Sequence, residues 1–114
     1  METCTIYDKL VRDNIPAIIQ ADHKTCRTHI LNEKDYNFYL KEKLIEEARE
    51  VRSAETKDEL IKELADVLEV VEALQDANGI SPKEVLAVKH QKAKRNGKFE
   101  KRILLECVIE ESDD

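Results

Sequence analysis

The sequence predicts a mostly all-α fold: an antiparallel bundle of about four helices, oligomeric, with room left for one small strand pairing. Three observations carry this. Only two glycines and two prolines occur in 114 residues, too few for the tight turns of a many-stranded sandwich or barrel. Hydrophobic residues make up 41% of the chain, enough for one real core despite 39% charged residues, and the length suits a single domain spanning 1–114. Finally, helix-start signals followed by long helix-compatible stretches recur along the chain.

The elements follow in order. A short helix is expected after Asn14, with Pro16 in its first turn. Thr28-His29-Ile30-Leu31 reads as extended. Asn32, followed by Glu33 and Asp35, opens a long helix from about Glu33 to Ala54. Thr56-Lys57-Asp58-Glu59 is a capping box that opens a helix running to about Ala77, where Asn78-Gly79 supplies a left-handed stop. Ser81-Pro82-Lys83-Glu84 is a second capping box, with its helix ending at Asn96-Gly97. Arg102 to Ile109 is short and rich in branched residues, so it is expected to be extended and to pair with 28–31 or with the segment around Leu10-Val11. In the helix after Thr56, Leu60, Ile61, Leu64, Ala65, Val67, Leu68, Val70, Val71, Ala73 and Leu74 cover most of the circumference. A surface helix carries one apolar stripe, so this one calls for cover on several sides, which a second subunit supplies most readily.

Composition narrows the function classes. The net charge of -6 argues against a general nucleic-acid coat protein. No run approaches the ~20 apolar residues of a membrane span, and METCTIYDKL lacks the apolar core of a signal peptide. Cys4, Cys26 and Cys107 form neither a disulfide framework nor a zinc pattern, so a cytoplasmic location is expected. The charge is segregated: residues 42–76 carry twelve acids against five bases, while residues 83–102 carry eight bases against two acids.

Within the acidic stretch, Glu46, Glu47 and Glu50 lie in one helix, and Glu63 and Asp66 in the next. Three- and four-residue spacings place these carboxylates side by side, where like charges destabilise an exposed helix by about 0.2–0.5 kcal/mol per pair. Asp66 interrupts an apolar run, and a buried carboxylate without a partner costs several kcal/mol or takes up a proton, to order of magnitude. The link between the two helices is very short, so they run antiparallel and bring the acidic pairs opposite each other. Oxygen donors with no His or Cys among them suit Mg²⁺ or Mn²⁺. The competing reading is a solvated acidic face with Lys43, Arg49, Arg52 and Lys62 as partners.

The pattern Glu46-Glu47-x-x-Glu50, then Glu63-x-x-Asp66, resembles the signature of the all-α nucleoside triphosphate pyrophosphohydrolases. Tyr7-Asp8-Lys9-Leu10-Val11-Arg12-Asp13-Asn14-Ile15-Pro16 is similar to the start of their MazG-like, phosphoribosyl-ATP pyrophosphohydrolase-like subgroup. So are Lys92-Ala93-Lys94-Arg95-Asn96-Gly97-Lys98-Phe99 and the extended Ile103-Leu104-Leu105-Glu106 that follow. One departure stands out: the subgroup's Gly-Gly before the aromatic appears here as Asn96-Gly97-Lys98-Phe99.

The resemblance implies Mg²⁺-dependent cleavage between the α and β phosphates of a nucleotide, releasing a monophosphate and pyrophosphate. It implies that Glu47, Glu50, Glu63 and Asp66 hold metal, with Glu46 a further ligand or the group orienting water. Lys9, Arg12, Lys89, Lys92 and Arg95 are the candidate phosphate contacts, and Phe99 a candidate base-stacking residue or a small core contact. Two alternatives stay open: phosphoribosyl-ATP as the substrate, and a non-enzymatic dimeric helical module that binds a basic partner.

Overall fold

The computed structural model describes residues 2–112, which contain four helices and, among the described residues, no strand. They are α1 (Ile15–Ala21), α2 (Glu33–Ser53), α3 (Lys57–Ala77) and α4 (Pro82–Asn96). The chain divides into two compact units, 1–81 and 82–114.

The first unit is built on a hairpin of α2 and α3. Asn32 caps α2, its side-chain oxygen accepting from the Asp35 amide at 2.8 Å, and Glu33 and Asp35 complement the positive end of the helix. Ala54, Glu55 and Thr56 make the turn. The Thr56 hydroxyl accepts from the Glu59 amide at 3.1 Å, and the Glu59 carboxylate reaches back to the Glu55 amide at 2.9 Å. The capping box therefore closes one residue further back than the sequence spacing suggests, and holds the turn as well as the helix end. At the far end, the Ile80 and Gly79 amides donate to the Gln75 and Asp76 carbonyls, with Gly79 at φ 64. This is a Schellman stop, and glycine takes the left-handed conformation without a Cβ clash. The Asn78 side chain then donates to the Asn37 side chain at 2.7 Å, tying the open end of the hairpin together.

α1 is short, has Pro16 in its first turn, and ends in the same type of stop with His23 in the left-handed position at φ 58. The core of this unit is thin: among the described residues Leu40 and Val70 are the buried hydrophobic ones, and Glu47 is the buried acid. Most of the apolar circumference of α3 is open within the chain, with Leu60, Ile61, Leu64 and Leu68 all exposed.

The second unit holds α4 and the segment after it. α4 stops at Gly97, φ 81, whose amide donates to the Ala93 carbonyl at 2.8 Å. No residue described in this unit is buried. The expected strand pairing does not form among the described residues. Ile30, Ile103, Leu104, Leu105, Val108 and Ile109 are each at least 73% exposed, and branched residues favour a strand only where a pleated surface is half covered.

Candidate active site

Helical periodicity explains how the site is assembled. Glu47 lies one heptad after Leu40 on α2, and Glu63 one heptad before Val70 on α3, so both carboxylates take core positions one layer along from the apolar pair. Asp66 falls between Glu63 and Val70 on the same side of α3. Because α2 and α3 are antiparallel neighbours, one oxygen each from Glu47, Glu63 and Asp66 lies within 4.8 Å of the others.

The buried member is Glu47, at 8% exposure; Asp66, the residue that interrupts the apolar run, is only half-buried. Burial pushes the Glu47 carboxyl above its ordinary range, and the negative charge of Asp66 adds to this against the pull of Lys43. For Glu46 partial burial pushes the same way, but the hydrogen bonds and charges of Lys9 and Lys43 outweigh it and hold the carboxyl below its ordinary range. The two neighbouring glutamates are thus driven apart.

The surrounding cations are ordered. Lys43 bridges Glu46 at 3.3 Å and Glu47 at 3.8 Å, by the i,i+3 and i,i+4 spacings of one helix. Lys9 donates to Glu46 at 3.1 Å and Arg12 to Asp66 at 2.7 Å. Beside Glu46, an open cleft of about 330 Å³ is lined by Asp8, Lys9 and Leu10 from the N-terminal segment and by α2 side chains including Tyr39, Lys43 and Arg49. At its edge Phe38 and Tyr39 meet edge to face, ring centroids 5.3 Å apart.

Of the residues singled out from the sequence, the structure brings together Glu47, Glu63 and Asp66, with Glu46, Lys9 and Arg12 around them. Glu50 is exposed and is not one of the three converging carboxylates. Lys89, Lys92 and Arg95 are exposed on α4 in the second unit, and Phe99 is 98% exposed. Lys43 is more central than its sequence context suggests. Its spacing to Glu46 and Glu47 was the available signal, but the same spacing marks any solvated ion pair.

The family model for phosphoribosyl-ATP pyrophosphohydrolase matches residues 16–93, well over half of the chain and all of α2 and α3. The chain belongs to the phosphoribosyl-ATP pyrophosphohydrolase family. That family lies in the MazG-like all-α superfamily of nucleoside triphosphate pyrophosphohydrolases, as the order of the acidic motifs implies. The match covers every converging carboxylate of this pyrophosphohydrolase-family chain, and it leaves Lys9, Arg12 and Arg95 outside. No curated protein and no solved structure gives a significant match.

Proposed function

We propose that this chain is a divalent-metal-dependent nucleotide pyrophosphohydrolase that cleaves the α–β phosphoanhydride, releasing a monophosphate and pyrophosphate. The observation that carries the reading is the convergence of Glu47, Glu63 and Asp66 from two helices in a chain of this family. The donor set fits a hard cation. It is all oxygen, and its spread of up to 4.8 Å is close to the roughly 4 Å that separates opposite ligands of octahedral Mg²⁺. Mg²⁺ is the expected ion, with Mn²⁺ able to replace it. Glu50, one turn along α2, is the fourth donor in this reading.

When bound, the metal supplies a polarised phosphate oxygen and an acidified water. The protein's own groups do the rest. Glu47, Glu63 and Asp66 fix the reaction centre between two rigid helices. Glu46, kept ionised by Lys9 and Lys43, accepts a hydrogen bond from the attacking water and orients it. Lys9 and Arg12 meet the phosphates, Arg12 with a planar fork that matches two oxygens at once. Lys89, Lys92 and Arg95 of the second unit are exposed cations of a kind that suits phosphate oxygens.

The working enzyme is a homo-oligomer of a single-domain chain in this reading. The exposed stripe of Leu60, Ile61, Leu64 and Leu68 on α3 supports it, since a contiguous apolar face of this kind marks a contact surface. The three free, exposed cysteines fit a reducing cytoplasm.

Two substrate classes follow: a nucleoside triphosphate, including non-canonical ones, and phosphoribosyl-ATP, which the family description favours. A panel of both with Mg²⁺, monitored for pyrophosphate and monophosphate, tests the reading. Equimolar release of the two products from at least one compound is expected, and which compound turns over fastest assigns the substrate. Orthophosphate release, or no turnover of any compound, overturns it.

A further inference from the structure

Two ion pairs fasten the segment ahead of α1 onto the helix hairpin. Lys9 reaches Glu46 on α2 at 3.1 Å, and Arg12 reaches Asp66 on α3 at 2.7 Å. Asp8, at φ 46, turns the backbone immediately before this stretch. Asp8, Lys9 and Leu10 form one wall of the 330 Å³ cleft, so the segment lies as a strap along both the cleft and the carboxylates. Arg12 thereby places a fixed positive charge on one of the three converging carboxylates.

Building on the metal reading above, we propose that Arg12 is an exchangeable counter-ion of the site. It neutralises Asp66 in the metal-free protein, yields to the divalent cation, and is then available, with Lys9, to the phosphates of the substrate. Three physical points support the exchange. A guanidinium stays charged at any working pH, so it cannot share the carboxylate with a cation by losing a proton. The pair is weak enough to exchange, because the Arg12 side chain is 57% exposed and that of Asp66 38%. A polyphosphate offers the same guanidinium two oxygens in the geometry it prefers, with more charge than one aspartate. Arg12 therefore moves between two anions, and metal loading loosens one wall of the cleft.

The consequence is an effect of opposite sign on two ligands. Calorimetric titration with Mn²⁺ alone, without nucleotide, should show Arg12→Gln binding the ion more tightly than wild type, by up to about fivefold, the most that losing a competing surface pair provides. With Mn²⁺ present, the same variant should bind pyrophosphate more weakly, and Arg12→Lys should restore much of the wild-type Mn²⁺ affinity. On the unmodified protein, Mn²⁺ should speed amide hydrogen exchange and tryptic cleavage after Lys9 in residues 7–14. Equal or weaker Mn²⁺ binding by Arg12→Gln, or a segment whose exchange Mn²⁺ does not accelerate, overturns the counter-ion role while leaving the metal site intact. Failure of Mn²⁺ to bind either protein overturns the metal site and this role with it.

Discussion

Glu47→Gln separates a carboxylate kept for its chemistry from one kept for structure. Glu47 faces Glu63 and Asp66 with oxygens no more than 4.8 Å apart, and is drawn to Lys43 at 3.8 Å. At the 4.8 Å bound each repulsion is worth about 0.9 kcal/mol at the dielectric of water and about 3.5 kcal/mol at an effective value of 20; the attraction is about 1.1 and 4.4 kcal/mol on the same scale. Two repulsions against one attraction leave a net penalty of roughly 0.6–2.5 kcal/mol, which the charge of Arg12 on Asp66 reduces and which Glu46 and burial of the charge increase. Gln keeps the shape and removes the charge. It should therefore raise the stability of the metal-free protein, by several degrees in melting temperature at about 4–8 °C per kcal/mol. With Mn²⁺ at a hundred times its dissociation constant the order should reverse, because wild type gains about 2.7 kcal/mol from binding and the variant much less. Paired thermal melts with chelator and with Mn²⁺ read both effects. A variant that is destabilised equally in both conditions would refute the reasoning and make Glu47 an ordinary structural acid.

Three further outcomes are expected. Because the Glu47 carboxyl is raised by burial and by Asp66, the folded chain binds its proton more tightly than the unfolded chain. The metal-free protein should thus lose stability as pH rises through the window just above the ordinary carboxylate range, a slope that Glu47→Gln removes in pH-resolved denaturant melts. Glu46 acts oppositely: its folded value is lowered, so its contribution is present above the ordinary range and is lost only as pH falls below it. Thr56→Ala, which deletes the acceptor for the Glu59 amide, should cost about 1 kcal/mol in urea unfolding without changing Mn²⁺ affinity. Leu64→Glu with Leu68→Glu should shift the sedimentation coefficient to that of the monomer, and an unchanged oligomer would place the interface elsewhere.

Much of the architecture was legible from residues with strong local signals. Asn32, Thr56 and Gly79 mark ends of α2 and α3 through capping chemistry that needs no tertiary context. The antiparallel convergence of Glu47, Glu63 and Asp66 follows from helical spacing and a three-residue turn. Burial was harder to read. Asp66 stands out in the sequence because its neighbours are apolar, yet Glu47 is the buried acid, since burial follows the register against α3 rather than the flanking residues. Strand propensity at 28–31 and 102–109 also misled, because branched side chains favour a strand only when something covers them. The contacts of Lys9 and Arg12 span 37 and 54 residues, a separation that no local pattern encodes.

The most direct test is the position of the metal. In crystals grown with Mn²⁺, an anomalous difference map should show a peak within about 2.3 Å of oxygens from Glu47, Glu63 and Asp66, with Arg12 withdrawn from Asp66. A peak held by other carboxylates, or none at a saturating Mn²⁺ concentration, would contradict a metal centre built across α2 and α3.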